Sequence, residues 1–388
     1  MEIGGAERSL ISLLNSFDFD KYQVDLFLLR KEGELLKYIP KEVNILPEND
    51  KYKQLATPII KVIKEKHIDI FLGRLQSKIA SNIYDIFHKP VNESYVELEY
   101  SHKFTKKFMP NISEKEYDLA ISFLTPHYFV QEKIIAKKKI AWIHTDYSYI
   151  DIDIKSELRM WFKYDNIVAI SKGVKQSFLK KFPQLANKII LIENIIDPDI
   201  IRKQALEKNK IEEFDSENIN LLSIGRFTNP KNFDNVPIIC KKLLEKGINI
   251  KWFLIGFGVD EKRIKDSIRD QSVEDNVIIL GKKTNPYPYI KNCDIYIQPS
   301  RYEGKAVTIL EAQILGKPVV ITDFPTSNSQ LKDGIDGLIV PLQNEACANR
   351  IYEIINDTEL QKTIIKNCNK TNYGNSYEIK KIYSIMET

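Results

Sequence analysis

Cysteine is scarce in this 388-residue chain: there are four, Cys240, Cys293, Cys347 and Cys368. They stand far apart, without the spacing of a zinc site or a redox pair. That excludes a disulfide scaffold and suits buried thiols in a reducing cytoplasm. Long apolar runs are also missing. The longest charge-free stretch, Leu119 to Gln131, has 13 residues and contains Pro126 and His127, whereas a bilayer span needs about 20 apolar residues. No basic start leads into an apolar segment, so no secretory signal is visible and the expected location is the cytoplasm. A dominant charge sign is absent too: Lys and Arg total 57 against 53 for Asp and Glu, and the first 200 residues hold 30 basic and 28 acidic. With no basic domain, nucleic acid is not an expected partner. There is no internal repeat, no low-complexity tract and no phosphate loop ending in Gly-Lys-Ser/Thr.

What the chain does have is short Ile/Val/Leu/Phe runs alternating with segments of helical period. Five candidate strands lie between Gln23 and Ile192, and six more between Asn220 and Val340. Continuous apolar runs suit strands buried on both faces of a parallel sheet. Alternation on this scale implies α/β architecture with two doubly wound domains. The boundary falls near Asn194–Asp199, where Glu-Asn-Ile-Ile-Asp-Pro interrupts the pattern. The expected division is residues 1–196, residues 197–373, and a C-terminal helix within 374–388 that packs back on the N-terminal domain. A doubly wound domain opens with a strand whose turn carries glycines. Here Gly4-Gly5 follow only three residues, so the first strand is expected to be missing, with about ten residues preceding Met1.

The most informative segment runs from Glu303 to Glu311 and on through Gly316 to Thr322. It reads as a strand end, a tight loop, a helix, a glycine stop and another strand. Glu303 lies just before the helix and Glu311 about two turns inside it, roughly 10 Å along the axis. Free N–H groups at such a helix start form an anion site, and a diphosphate could rest there with a carboxylate at each end. Taken alone, two glutamates at arbitrary spacing read as solvated helix-surface charges. Asp-X-Asp pairs, which can hold a divalent metal, occur at Asp18/Asp20, Asp151/Asp153 and Asp197/Asp199. None follows a strand that opens a nucleotide site, and no metal is expected. Gly256-Phe257-Gly258 starts like a dinucleotide fingerprint but has Glu261 where the third glycine belongs.

The stretch Glu303–Glu311 resembles the Glu-X7-Glu motif of retaining glycosyltransferases of the GT-B fold, family 4 (group 1), which include bacterial capsular and exopolysaccharide enzymes. The resemblance covers most of the chain. Gly4-Gly5-Ala6-Glu7-Arg8 is similar to the family's N-terminal glycine loop. Ser223-Ile224-Gly225-Arg226-Phe227 with Lys231 is similar to its diphosphate clamp. Glu193–Asp197 resembles its interdomain segment, and Trp142-Ile143-His144-Thr145-Asp146 the segment that faces the sugar. It implies two Rossmann-like domains facing across a cleft. Arg226 and Lys231 would then hold the donor diphosphate, Glu311 the ribose hydroxyls and Glu303 the sugar hydroxyls. Gly304, Lys305, Ala306 and Val307 would line the phosphate or sugar at the helix start. Gly4 and Gly5 would let the N-terminal backbone approach the phosphates. His144 would touch the donor sugar or acceptor, with Asp146 either orienting it or serving the acceptor; a satisfied core imidazole is the alternative for His144.

The resemblance further implies a nucleotide-sugar donor, chiefly a UDP-sugar, and a surface polysaccharide or lipid-linked glycan as acceptor. It implies no cofactor and no metal, because Arg226 and Lys231 supply the positive charge. Basic clusters at Lys103/Lys106/Lys107, Lys137–Lys139 and Lys172/Lys175/Lys180/Lys181 are either solvated faces or a peripheral contact with an anionic membrane. Two rivals stay open: a catalytically inactive partner subunit that binds glycans, and a nucleotide-sugar epimerase of the same fold.

Overall fold

A computed structural model describes residues 4–303 and 306–387. The chain divides into two compact units, residues 1–196 with 375–388 and residues 197–374.

The first unit carries β1 (Asp25–Leu26), β2 (Asn44–Ile45), β3 (Glu116–Ser122), β4 (Ile135–Ile143), β5 (Asn166–Ala169) and β6 (Ile189–Leu191). They form two parallel sheets, β1-β2 and β3-β4-β5-β6, and Glu93–Ser94 pairs with Ile150–Asp151 as a third, two-stranded one. Helix α1 (Gly5–Asn15) begins directly after an extended Gly4, and among the described residues no strand precedes it. One face of α1 serves the first two sheets: Leu13 packs with Ile140, Trp142 and Val168, and Leu14 with Val43, Leu26 and Ile45. Side chains at the start of β3 also reach the β1-β2 sheet. The Tyr117 hydroxyl donates to Asp25 at 2.8 Å and Lys115 lies 3.1 Å from the same carboxylate. A long excursion between the sheets holds α2 (Ile68–His88) and α3 (Val96–Thr105). The last helix, Ile379–Glu387, buries Ile379, Ile382 and Ile385 against Ile140, Val168 and Ile192 of this unit.

The second unit is one six-stranded parallel sheet: β7 (Ile219–Ile224), β8 (Ile250–Ile255), β9 (Val277–Gly281), β10 (Ile295–Gln298), β11 (Val319–Thr322) and β12 (Leu338–Val340). Its order is β9-β8-β7-β10-β11-β12. Leu221, Leu222, Trp252, Phe253, Leu254 and Tyr296 are all fully buried, as the unbroken apolar runs of a sheet covered on both faces require. The chain winds outward from β7 in both directions, so the order reverses between β7 and β10. In open parallel sheets the crevice beyond the strand carboxyl ends at such a reversal is where ligands bind.

Candidate active site

Two loops leave that reversal, 225–231 after β7 and, in its described part, 299–303 after β10. Each is fixed by groups the sequence supplies nearby. Gly256 and Gly258 let the loop after β8 lie directly on residues 225–227: a Cβ on Gly256 would sit 1.9 Å from the Gly225 carbonyl oxygen, and one on Gly258 2.2 Å from that of Phe227. The Phe227 N–H donates to the Phe257 carbonyl at 2.8 Å and the Gly225 N–H to that of Ile255 at 3.0 Å. The glycine pair that resembled a dinucleotide fingerprint is thus a close-approach device that holds the backbone of Arg226.

The same two loops are then tied to each other. Arg301 meets Asp234 through two bonds of 2.9 Å and donates to the Asn229 carbonyl at 2.7 Å. Burial would raise the Asp234 carboxyl, but Arg301 and Arg263 outweigh it and hold its pKa below the usual range. Asn232, in the left-handed conformation at φ 60°, donates its amide to the Pro299 carbonyl at 2.8 Å.

This scaffold brings Lys231 onto Glu303. The ammonium donates to both carboxylate oxygens, at 2.6 and 2.7 Å. Ser300 and Gln298 donate to Oε1 at 2.6 and 3.2 Å. The Thr326 hydroxyl holds the Glu303 carbonyl at 2.6 Å. The Glu303 side chain is 7% exposed, so it is not a solvated surface charge. A carboxylate so buried needs a counter-charge, and Lys231 supplies it. Glu311, in the helix Val307–Ile314, is also buried and accepts from the Tyr287 hydroxyl at 3.0 Å. Arg226 is exposed on the same edge and makes no ion pair with any described residue.

Other expected positions fall differently. Gly304 and Lys305 lie outside the described residues. The Ala306 N–H is already engaged by Gln330 Oε1 at 2.9 Å, so it is not the free donor a helix start would offer. Val307 opens the helix and is 37% exposed. In the other unit, Gly4 stands at the start of α1 and Gly5 has open space around it. His144 directly follows β4 with its ring against Phe123 at 4.5 Å. Burial pushes the imidazole down to about 4, partly opposed by a hydrogen bond with the Phe123 backbone, so the ring is neutral near pH 7. Its Nε2 has no hydrogen-bond partner. Asp146 accepts from the Ser148 N–H at 2.9 Å, in a local turn.

Members of two of the acidic pairs have structural employment. Asp153 and Asp197 cap helix starts, and Asp151 accepts from the N–H groups of Val91 and Asn92 at 2.8 and 2.7 Å. Among the described residues no three His, Cys, Asp or Glu side chains are grouped as a metal centre. Sequence reasoning did not assign Tyr287, Asn232, Asp234 or Arg301. Their residue types carry no signal by themselves, because each acts through a contact between distant loops.

Residues 204–371 match the sequence model of the family "Glycosyl transferases group 1". The chain is 26% identical over 231 residues to the capsular polysaccharide biosynthesis glycosyltransferase CapM of Staphylococcus aureus, covering 58% of this chain and 60% of that protein. It is 27% identical over 215 residues to a Campylobacter jejuni protein named N-acetylgalactosamine-N,N'-diacetylbacillosaminyl-diphospho-undecaprenol 4-alpha-N-acetylgalactosaminyltransferase, covering 54% and 55%. The chain thus spans less than two thirds of the length of either relative. Among solved structures, Anabaena HepE in complex with UDP-glucose superposes with a TM-score of 0.58 at 17% identity, covering 99% of this chain and 96% of that one. The fold is therefore GT-B, built from two Rossmann-like α/β domains.

Proposed function

We propose that this protein is a glycosyltransferase that moves a sugar from a UDP-sugar to a growing surface polysaccharide or lipid-linked oligosaccharide in the cytoplasm. The observation that carries the reading is the Lys231–Glu303 pair, placed at the strand-order reversal with Arg226 uncommitted beside it. The match to group 1 glycosyl transferases over residues 204–371 supports it. So do the capsule and undecaprenyl-diphosphate glycan enzymes among the relatives. Arg226 and Lys231 grip the donor diphosphate and stabilise the charge that develops as it leaves. Glu311 receives the ribose hydroxyls. Glu303, released from Lys231 when the diphosphate competes for the ammonium, takes hydroxyls of the sugar. In this reading the transfer retains anomeric configuration: the acceptor attacks from the leaving-group face, and the departing phosphate oxygen takes its proton. The two cations perform the charge-stabilising task that a metal ion performs in other sites. An inactive partner subunit or an epimerase has less support, since a non-catalytic copy would be free to lose any of Arg226, Lys231, Glu303 and Glu311.

The test is thermal stability of the purified chain with UDP, GDP, ADP and CMP in turn. A ligand at 100 times its Kd adds about 2.7 kcal/mol, a rise of several degrees for domains of this size. A UDP-selective rise that Glu311→Ala removes is expected. No rise with any nucleotide overturns the reading.

A further inference from the structure

Helix α2 is built the wrong way round for a helix on a water-exposed domain. The face it packs inward is made largely of small residues: Ile70, Gly73, Ser77 and Ser81 are its buried positions. A Cβ on Gly73 would lie 2.9 Å from the Thr105 methyl group, so α2 lies tight against α3 and large side chains are driven to the other side. There, Ile68, Leu72, Leu75, Ile79, Ile83 and Ile86 recur at helical spacing as one stripe, each between 37% and 70% exposed. Phe87 in its last turn, 78% exposed, and Val91 beyond it, 93% exposed, extend the apolar surface. The short helix just before α2 adds exposed Ile60 and Ile63. Twenty-one residues make a helix about 30 Å long. Isolated exposed aliphatics are ordinary, but a continuous strip of this kind marks an interaction surface.

The charges beside the strip identify what it meets. The acidic residues of segment 59–90 are all engaged: Asp69 pairs with Lys51 at 2.6 Å, Glu65 accepts from the Gln54 amide at 2.6 Å, and Asp85 accepts from Ser94 at 2.9 Å. Lys64, Lys66, Lys78 and Lys89 are exposed and form no ion pair with any described residue. Exposed lysines without carboxylate partners are complemented by an anionic surface. The lysine clusters that sequence alone suggested for this role are partly spent elsewhere. Lys139 donates to the carbonyls of Gln131 and Ile134, both at 2.7 Å, Lys181 to that of Ile150, and Lys106 and Lys137 pair with Glu132 and Asp118.

We propose that α2 and the short helix before it dock the protein on an anionic lipid bilayer, α2 lying in the interfacial plane with its aliphatic stripe at the acyl boundary and the lysines at the phosphates. No helix of the described residues is long and apolar enough to cross the bilayer, so the contact is peripheral. It rests on this surface alone and holds whether or not the transferase reading does.

The test is flotation of the purified full chain with phosphatidylcholine vesicles, with and without phosphatidylglycerol. Binding to the anionic vesicles that weakens with salt is expected. Ile79→Glu with Ile83→Glu should reduce it at least about tenfold, and Lys64→Gln or Lys78→Gln about fivefold each. All four positions are exposed, so melting temperatures should stay unchanged. Equal flotation with neutral and anionic vesicles overturns the proposal, as does undiminished binding of the double variant. Light scattering that shows a wild-type dimer split by Ile79→Glu with Ile83→Glu also overturns it, assigning the strip to a second copy.

Discussion

Removing Lys231 should cost more than removing the charge it neutralises. In Lys231→Met the aliphatic stem stays, but the Glu303 carboxylate, 7% exposed, is left with Ser300 and Gln298 as its side-chain donors among the described residues. Stripping one partner from a buried pair costs about 3–5 kcal/mol. Lys231 is 23% exposed and water can enter its place, so the lower end, about 3 kcal/mol, applies. Glu303→Gln leaves the cation unpaired instead, and a partly exposed ammonium can turn to water. The amide oxygen keeps the Ser300 bond, so the loss is about 1 kcal/mol, that of one ordinary hydrogen bond. The unit spanning 197–374 should melt about 2–4 °C lower per kcal/mol. That gives a fall of about 6–12 °C for Lys231→Met and about 2–4 °C for Glu303→Gln. The double variant should be more stable than Lys231→Met alone, because the stranded carboxylate is gone. Scanning calorimetry is the assay, since it can separate the transitions of two units. Equal losses in the single variants, or a double variant whose loss is their sum, would refute the reasoning that burial of Glu303 makes the pair asymmetric.

Arg226→Ala should lower turnover about 100- to 1000-fold while leaving the melting temperature alone, because the side chain is exposed and unpaired; steady-state kinetics beside calorimetry reads both. Gly256→Ala puts a methyl group 1.9 Å from the Gly225 carbonyl oxygen. It should cost about 1–3 kcal/mol and lower activity with it, by displacing the backbone of Arg226. Glu157 is fully buried and accepts from the Tyr147 hydroxyl and the Trp161 indole at 3.0 and 3.1 Å. Burial lifts its carboxyl to about 7. The folded state therefore holds a proton that the unfolded state releases near its ordinary value, and stability falls as pH rises between those two points. Glu157→Gln fixes the neutral form, so its melting temperature relative to wild type should rise between pH 5 and pH 8, and an unchanged difference would exclude the mechanism.

The second unit was legible because its strands are buried on both faces. Ile250–Ile255 and Ile295–Gln298 need no partner of a particular sequence to be recognised, only unbroken apolar runs between helical periods. Glu303 and Glu311 were legible through spacing within one loop and helix. Their burial and partners were not, because Lys231, Ser300, Gln298 and Tyr287 act through contacts whose distances no local pattern encodes. The Asp234–Arg301 tie is of the same kind: two charged residues 67 positions apart look like ordinary surface until the loops that carry them are folded together. His144 shows the limit from the other side. The apolar run ending at Ile143 placed it at a strand end, yet the burial that lowers the imidazole pKa arises only when the chain is folded around it.

The first unit resists reading for a different physical reason. Periodicity reports which residues share a face, not which way the face points. The stripe Ile68–Ile86 has the pattern of a helix that turns its aliphatic side to a core, and propensity alone would bury it. What decides otherwise is the competing face: Gly73, Ser77 and Ser81 let α2 approach α3 more closely than any leucine could. The energy recovered is close packing against one neighbour rather than removal of the larger surface from water. A domain standing alone in water would gain by reversing that choice. In the proposed docking the exposed face meets an apolar phase, and the unpaired lysines beside it meet a rim of negative charge. The same residues that make the helix look misplaced in water are therefore consistent with one another at a bilayer surface.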